Sequence, residues 1–382
     1  MTGSNARNIS SIWNNQTLVL PALAYALLYI LATFFSVDRN VSLWGLGDRQ
    51  GMLTTLSVIA FFLLLSAILN SWKRIESLVN ALIIGSIAVS LYGWVQFLGL
   101  DWLHWQYDPD RIIFVHSTFA SHIYLGSYLA MVIPFTLTRL LSERYPEPVQ
   151  KIRYSVILFL QLSCLFLSLA RSAILGLYVG LLPFIWLSGG GRLTRKFLSA
   201  LILLSLVFVM VYFSVERGGL GLYRRVAFFP AGIDFPAIRN ASNRSRLMTW
   251  QRSLEIIPDR WLLGYGPETF PVVNAQVGPL GENDPTVPSL LYDPHNVFLY
   301  HLTALGMLGL AAFLWLVLGF YRIARAAFTQ TANAHNKLVV AAILSAATVY
   351  LVQAQVNPDS IVLLEMFWLM LALATAAHKL VI

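Results

Sequence analysis

Long apolar runs alternate with short polar segments along most of the chain. An α-helix needs about 17–25 apolar residues to cross the hydrocarbon core of a bilayer. Ten runs approach or exceed this length, and they predict ten transmembrane helices. These cover residues 18–36, 51–69, 77–100, 121–141, 154–170, 172–188, 197–215, 297–321, 338–356 and 361–377.

A single charged residue, Arg171, separates the fifth run from the sixth. Residues 154–188 therefore form either one over-long helix or two helices joined by a minimal turn. The first run is too long for the apolar core of a signal peptide and is not followed by a small-residue cleavage site. We therefore expect it to remain in the protein as a transmembrane helix.

Residues 216–296 contain no apolar run of this kind. Arginines and acidic residues are equally numerous there, lysine is absent, and glycine and proline interrupt the segment repeatedly. A long connection of this kind is usually functional, and we predict that it folds as an external cap. Within it we expect a helix from Ser245, as its N-cap, to Ile257, before Pro258. One apolar face is predicted, with Leu247, Trp250, Leu254 and Ile257.

The predicted fold is therefore an all-α integral membrane protein with about ten transmembrane helices. One long external loop domain lies between the seventh helix and the eighth. The chain divides into helices one to seven (1–214), an external cap with short helices (215–293) and helices eight to ten (294–382). Apolar residues make up 57% of the chain and charged residues 12%, against about 25% charged in soluble domains. This composition excludes a soluble globular protein and a disordered one.

The net charge of +8 would point to nucleic acid in a soluble protein, but in a membrane protein basic residues report orientation. If the N-terminus is cytoplasmic and all ten helices cross, every lysine falls on the cytoplasmic side. This agrees with the positive-inside rule and predicts that both termini are cytoplasmic. It also favours two helices over residues 154–188, because one helix would place the basic residues 192–196 outside.

Arg171 is the first candidate for chemistry. A lone charge between two apolar helices is costly and is therefore a functional hypothesis. Ser172 and Gly176 beside it allow close approach of another helix. The alternative is an arginine that extends to the membrane interface without a further role.

The external segment offers a second candidate in Arg239, Arg244 and Arg246. Arginine suits phosphate because its planar fork binds two oxygens and stays charged. A helix beginning near Ser245 would add a positive N-terminus for the same anion. The alternative is that these arginines pair with the local acidic residues.

The sequence Asp293-Pro294-His295-Asn296 precedes the eighth predicted helix. A helix N-terminus disfavours the imidazolium, so His295 would stay neutral and able to accept a proton, although Asp293 acts in the opposite direction. The alternative is a histidine that only caps the helix. His116, His122 and Glu365 are weaker candidates. The single cysteine, Cys164, excludes an intramolecular disulfide and a cysteine-based metal site.

Four segments, in this order, resemble the O-antigen ligase and O-antigen polymerase superfamily of bacterial membrane glycan transferases. The first is Leu169-Ala170-Arg171-Ser172 with Gly176. The second is 245–250 followed by Leu263-Gly264-Tyr265-Gly266-Pro267-Glu268-Thr269-Phe270. The third is 293–299, and the fourth is Gly306-Met307-Leu308-Gly309-Leu310. Residues 44–51 and 125–134 also resemble part of this superfamily.

The resemblance implies an inverting, metal-independent enzyme without a cofactor. Such an enzyme transfers a glycan from a polyprenyl (undecaprenyl) diphosphate to an acceptor hydroxyl at the outer, periplasmic or extracellular face of the bacterial cytoplasmic membrane. It implies that Arg171 and Arg246 hold the diphosphate and that His295 is the general base. We add Arg239, Arg244, Asp293 and Asn296 as expected substrate-binding residues. The expected partners are the lipid-linked donor, a glycan or lipid acceptor and membrane lipid, and no nucleic acid.

Two alternatives to a ligase follow from the same residues. A polymerase of polysaccharide repeat units would use the same donor chemistry, so the sequence does not separate it from a ligase. An anion transporter of the bicarbonate class would also use arginines at membrane level. Transporters place their sites near the midplane of the bilayer, whereas these candidates cluster at one predicted face.

Overall fold

A computed structural model describes residues 18–46, 50–102, 115–145, 147–187, 235–278 and 293–382. Side chains of residues 235–242 lie outside that description. Within it all regular elements are helices, twelve α-helices and a 3₁₀ turn. The first seven are α1 (Val19–Phe34), α2 (Arg39–Trp44), α3 (Met52–Ile68), α4 (Trp72–Phe97), α5 (His122–Leu141), α6 (Pro148–Leu167) and α7 (Arg171–Leu187). The others are α8 (Phe235–Ile256), the 3₁₀ turn Ile257–Arg260, α9 (Phe270–Val277), α10 (Val297–Gln330), α11 (Ala334–Gln353) and α12 (Ile361–Lys379).

The apolar runs account for most of these helices. Six described helices, α4, α5, α6, α10, α11 and α12, are long and apolar enough to cross a membrane. Helices α1, α3 and α7 are shorter apolar helices. These nine correspond to nine of the ten predicted runs. The seventh run, residues 197–215, lies outside the described residues, and the count of ten membrane-crossing helices stays a prediction.

The structure resolves the ambiguity over residues 154–188 in favour of two helices. Helix α6 ends at Leu167 and α7 begins at Arg171. Leu169 between them has a φ of 55°, a left-handed conformation that interrupts the helix. Glycines on α7 then allow the close approach that we predicted. A Cβ on Gly176 would lie 3.1 Å from the carbonyl oxygen of Val349 on α11.

The chain forms two compact units, which interleave along the sequence. The first unit contains residues 1–75, 244–332 and 354–382, and the second contains residues 76–243 and 333–353. In the first unit, α1 and α3 pack with α10 and α12. Its core is aromatic, and the rings of Phe62 and Trp368 lie 5.5 Å apart.

The second unit is built around α5. Every residue from Tyr124 to Arg139 on this helix is buried, because α6, α7 and α11 pack around it. The hydroxyl of Ser121 caps its first turn by accepting a hydrogen bond from the backbone N–H of Ile123. A helix buried on all sides needs no polar face, which explains why most residues of this run are apolar.

A buried ionic cluster joins three helices of the second unit. Arg139, at the end of α5, is fully buried, and its Nη2 lies 2.6 Å from Oε2 of Glu76 on α4. Oε1 of the same carboxylate lies 2.7 Å from Nε2 of His335 on α11. Arg139 Nη2 also donates to Asn80, and the guanidinium lies 5.5 Å from the centre of the Tyr145 ring. No pattern in the sequence predicted this cluster.

The predicted start of the helix in the external segment was wrong. Helix α8 begins at Phe235, not at Ser245, and continues to Ile256 before a 3₁₀ turn that contains Pro258. The predicted apolar face is not the buried one, because Leu247 and Leu254 are each 62% exposed. The buried face instead carries Thr249, Arg252, Ser253 and Ile256. Polar side chains with hydrogen-bond partners face the interior of the protein here, so the pattern of apolar residues did not identify the buried face.

Candidate active site

The turn before α10 places His295 directly before the N-cap of that helix. Asn296 is the N-cap, and its Oδ1 accepts hydrogen bonds from the backbone N–H groups of Phe298 and Leu299. His295 has a φ of 55°, a left-handed conformation that costs energy for any residue with a Cβ. Strained backbone of this kind is found preferentially at functional sites. Asp293 holds the strained turn, since its Oδ1 accepts a hydrogen bond of 2.5 Å from the N–H of His295.

The hydrogen bond of the imidazole fixes which ring nitrogen carries the proton. Nδ1 of His295 lies 2.7 Å from the backbone carbonyl oxygen of Asp293. A carbonyl can only accept, so Nδ1 donates and Nε2 keeps its lone pair in the neutral ring. Burial lowers the pKa of His295, and the positive charge of Arg246 lowers it further, although the bond to Asp293 acts in the opposite direction. Neutral His295 can therefore accept a proton near pH 7.

Arg246 and Thr249 attach α8 to the same region. Nε of Arg246 donates a hydrogen bond of 2.6 Å to the carbonyl of Val356, in the segment between α11 and α12. The hydroxyl of Thr249, three residues later, lies 3.2 Å from the carbonyl of Pro294. One face of α8 therefore contacts two segments: Arg246 binds Val356, and Thr249 binds the histidine turn at Pro294. The side chain of Thr249 is fully buried, and no sequence motif predicted its role.

The segment 354–356 supports the turn from the other side. The side-chain amide of Asn296 donates to the carbonyl of Gln355, and the N–H of Val297 donates to the carbonyl of Ala354. Both Oδ1 and Nδ2 of Asn296 therefore bind protein atoms, and we interpret Asn296 as a residue that positions the turn. Its predicted contact with substrate stays a prediction.

Two glycine-containing motifs far apart in the sequence pair through their backbones. Helix α10 is interrupted at Gly306, where φ is 68° and ψ is −166°. The N–H of Tyr265 donates to the carbonyl of Thr303, and the N–H of Met307 donates to the carbonyl of Trp261. A Cβ on Gly306 would overlap the carbonyl group of Leu262. Only glycine permits both this approach and this conformation.

A chain of buried polar side chains lies in the first unit between α1 and α10. The hydroxyl of Tyr25 lies 2.7 Å from Nε2 of His301, and Nδ1 of that ring lies 2.6 Å from the carbonyl of Val297. The hydroxyl groups of Tyr25 and Tyr29 lie 3.5 Å apart. The sequence signal for this chain is a pair of tyrosines four residues apart in an apolar run, with a histidine in another run.

The remaining predicted residues fall in different places. Arg171 is the first residue of α7, is exposed and belongs to the second unit. Arg244 is exposed on α8, and the side chain of Arg239 lies outside the described residues. The helix N-terminus that we expected near Ser245 is absent, because α8 continues through that position. Arg246, Asp293, His295 and Asn296 all belong to the first unit.

The weaker candidates differ in their surroundings. His116 is buried, and its Nδ1 lies 3.1 Å from the carbonyl of Phe119 in the turn before α5. Asp108 and Asp110, which precede it in the sequence, lie outside the described residues. Glu365 is exposed on α12. It makes no hydrogen bond or ion pair with the described residues.

The four ordered motifs of the resemblance lie in one segment, residues 169–310, whereas residues 44–51 and 125–134 lie before it. Residues 156–314 match the O-antigen ligase family. The match covers less than half of the chain and confirms the resemblance to the O-antigen ligase superfamily. No curated protein matches the chain. The apolar helices indicate a multi-pass membrane protein, and the matched segment is similar to a glycosyltransferase-like enzyme family.

Proposed function

We propose that this protein transfers a glycan from a polyprenyl diphosphate carrier to an acceptor hydroxyl at the outer face of the cytoplasmic membrane. One observation carries the proposal. Nδ1 of His295 is bound to the carbonyl of Asp293, which leaves the lone pair of Nε2 in a neutral ring whose pKa is lowered by burial and then by Arg246. This arrangement occurs within the segment that matches the O-antigen ligase family.

The reaction needs one base. Nε2 of His295 takes the proton from the acceptor hydroxyl while its oxygen attacks the anomeric carbon of the donor glycan. The bond between that carbon and the diphosphate oxygen breaks, and the diphosphate leaves with the bonding electrons. Attack from the face opposite the leaving group inverts the configuration at the anomeric carbon. Neither a metal nor a cofactor takes part in this scheme.

Charge develops on the diphosphate oxygens as the bond breaks, and arginines are suited to stabilise it. Arg246 is held by its Nε at Val356, which fixes the plane of the guanidinium. Arg171, exposed at the first position of α7, combines its charge with the positive N-terminal end of that helix. We assign both arginines to the diphosphate.

A transfer assay with the purified protein in nanodiscs tests the proposal. The donor is a lipid-linked glycan and the product is resolved by mass spectrometry, with the configuration of the new linkage read by NMR. His295→Ala should abolish transfer, whereas the control His378→Ala, in the last turn of α12, should retain it. Full transfer by folded His295→Ala would overturn the assignment of the base. Failure of the wild-type protein to transfer any lipid-linked glycan would overturn the proposed function itself.

A further inference from the structure

A groove in the first unit is separate from the histidine turn. It is lined by the end of α2, one side of α3 and α12, and its volume is about 440 Å³. Trp44, Leu53 and Phe61 form apolar walls, and Thr54 and Glu365 contribute polar atoms. The side chain of Trp44 is 60% exposed, so its ring is available to a ligand. The groove therefore combines an aromatic surface, a hydroxyl group and a carboxylate.

Glu365 is unusual on α12, which is otherwise apolar until its last turn. It lies five positions after the N-cap residue Ser360, a little over one turn into the helix. A carboxylate at that depth of a membrane helix is costly, and such residues are functional by default. Within the described part of the chain no arginine, lysine or histidine pairs with it.

One segment connects this groove to the histidine turn. Residues 354–360 form this segment and accept two hydrogen bonds from the candidate site. Arg246 donates to the carbonyl of Val356, and Asn296 donates to the carbonyl of Gln355. Three residues after Val356, the carbonyl of Asp359 accepts a hydrogen bond from Gln50, just before α3. Glu365 in the groove thus lies near the same end of α12 as the segment that supports His295.

We propose that this groove binds the acceptor as a lipid-linked glycan, an inference that rests on the proposed function. Glu365 accepts hydrogen bonds from sugar hydroxyl groups, and the ring of Trp44 stacks on a sugar face. The walls formed by Leu53 and Phe61 contact the lipid chain. The donor is excluded from this position because its diphosphate would be repelled by the carboxylate, whereas the arginines attract it.

Steady-state kinetics distinguish binding of the acceptor by Glu365 from a role in catalysis. Glu365→Gln should raise the KM for acceptor about tenfold, as expected for the loss of a charge-assisted hydrogen bond, with kcat and the KM for donor unchanged. Trp44→Ala should act in the same direction, and Trp44→Phe should restore part of the affinity. Glu143→Gln, at an exposed carboxylate after α5, is the matched control. An unchanged KM for acceptor in active Glu365→Gln would overturn the inference while leaving the proposed function in place.

A second measurement does not depend on turnover. The probe is dodecyl β-maltoside with a diazirine in its alkyl chain, added to the protein in nanodiscs and photolysed before peptide mapping. Labelling is expected within residues 53–61 and 361–369, and it should fall about tenfold in Glu365→Gln. Equal labelling by a dodecylphosphocholine diazirine, insensitive to Glu365→Gln, would identify an ordinary lipid groove and overturn the inference. Labelling by the maltoside in a protein that shows no transfer would support the groove and reject the proposed function.

Discussion

Nε of Arg246 donates a hydrogen bond of 2.6 Å to the carbonyl of Val356, although the two residues lie 110 positions apart in the sequence. The bond joins α8 to the segment between α11 and α12. The same segment accepts a hydrogen bond from Asn296, the N-cap residue beside His295. The guanidinium of Arg246 and the imidazole of His295 are therefore positioned by a shared set of backbone atoms, and a change at Arg246 should affect both binding and geometry.

We expect Arg246→Lys to lower the transfer rate about 10²-fold, the cost of removing one well-placed donor to a developing charge. Lysine keeps the positive charge but has neither the Nε that binds Val356 nor a planar fork for two phosphate oxygens. The measurement is kcat/KM for the lipid-linked donor. Arg322→Lys, at an exposed arginine near the other end of α10, is the control and should remain at the wild-type level.

The rate of transfer should decrease at acid pH in a single titration step, the acid limb of the pH profile, which lies below pH 6.5. His295 acts as a base only when neutral, and its pKa lies below its usual value because burial, and then Arg246, disfavour the charged form. Transfer should therefore be constant near neutrality and should fall as the pH drops through this pKa. Arg246→Gln should move the limb to higher pH, because the nearby positive charge is lost. Arg246→Lys should leave it in place, and a limb that shifts equally in both variants would contradict the electrostatic explanation.

The sequence predicted the local features of the site better than its long-range contacts. The run of residues 297–321 and the preceding Asp293-Pro294-His295-Asn296 predicted a helix with His295 at its start, because capping depends on neighbouring residues. The contacts of Arg246 with Val356 and of Thr249 with Pro294 join segments that are distant in sequence. No pattern of apolar residues predicts such pairs.

The error at Ser245 has a similar origin. Serine before a helical pattern is a typical N-cap signal, but α8 begins ten residues earlier and Ser245 lies in its interior. Its buried face carries Thr249 and Ser253, whose hydroxyl groups bond to backbone carbonyls of the helix and of Pro294. Polar residues with local partners can occupy a buried face, and the apolar pattern then indicates the wrong side.

The backbone pairing at Gly306 should be intolerant of any side chain. Gly306→Ala places a Cβ against the carbonyl group of Leu262 at a φ of 68°, so we expect at least about 2 kcal/mol of destabilisation from the conformation alone. The thermal midpoint in detergent is the measurement. Gly85→Ala is a suitable control, because its Cβ would meet only the Tyr128 hydroxyl at 3.5 Å. A wild-type midpoint for Gly306→Ala would show that α10 does not need this interruption.

The buried pair of Glu76 and Arg139 offers a test of stability that is independent of the active site. Glu76→Gln leaves the fully buried guanidinium without its counter-charge, and we expect it to destabilise the protein by about 3–5 kcal/mol. The double variant Glu76→Leu with Arg139→Met removes both charges and should recover most of this loss, since hydrophobic residues of similar volume often replace a buried ion pair without cost. Thermal midpoints of the single variants Glu76→Leu and Arg139→Met and of the double variant give the coupling free energy. Glu147→Gln, at an exposed carboxylate before α6, should leave the midpoint unchanged.

If the double variant is as unstable as the sum of the single variants, the attraction between Glu76 and Arg139 does not stabilise the protein. The two residues then contribute through their separate contacts with Asn80, Tyr145 and His335.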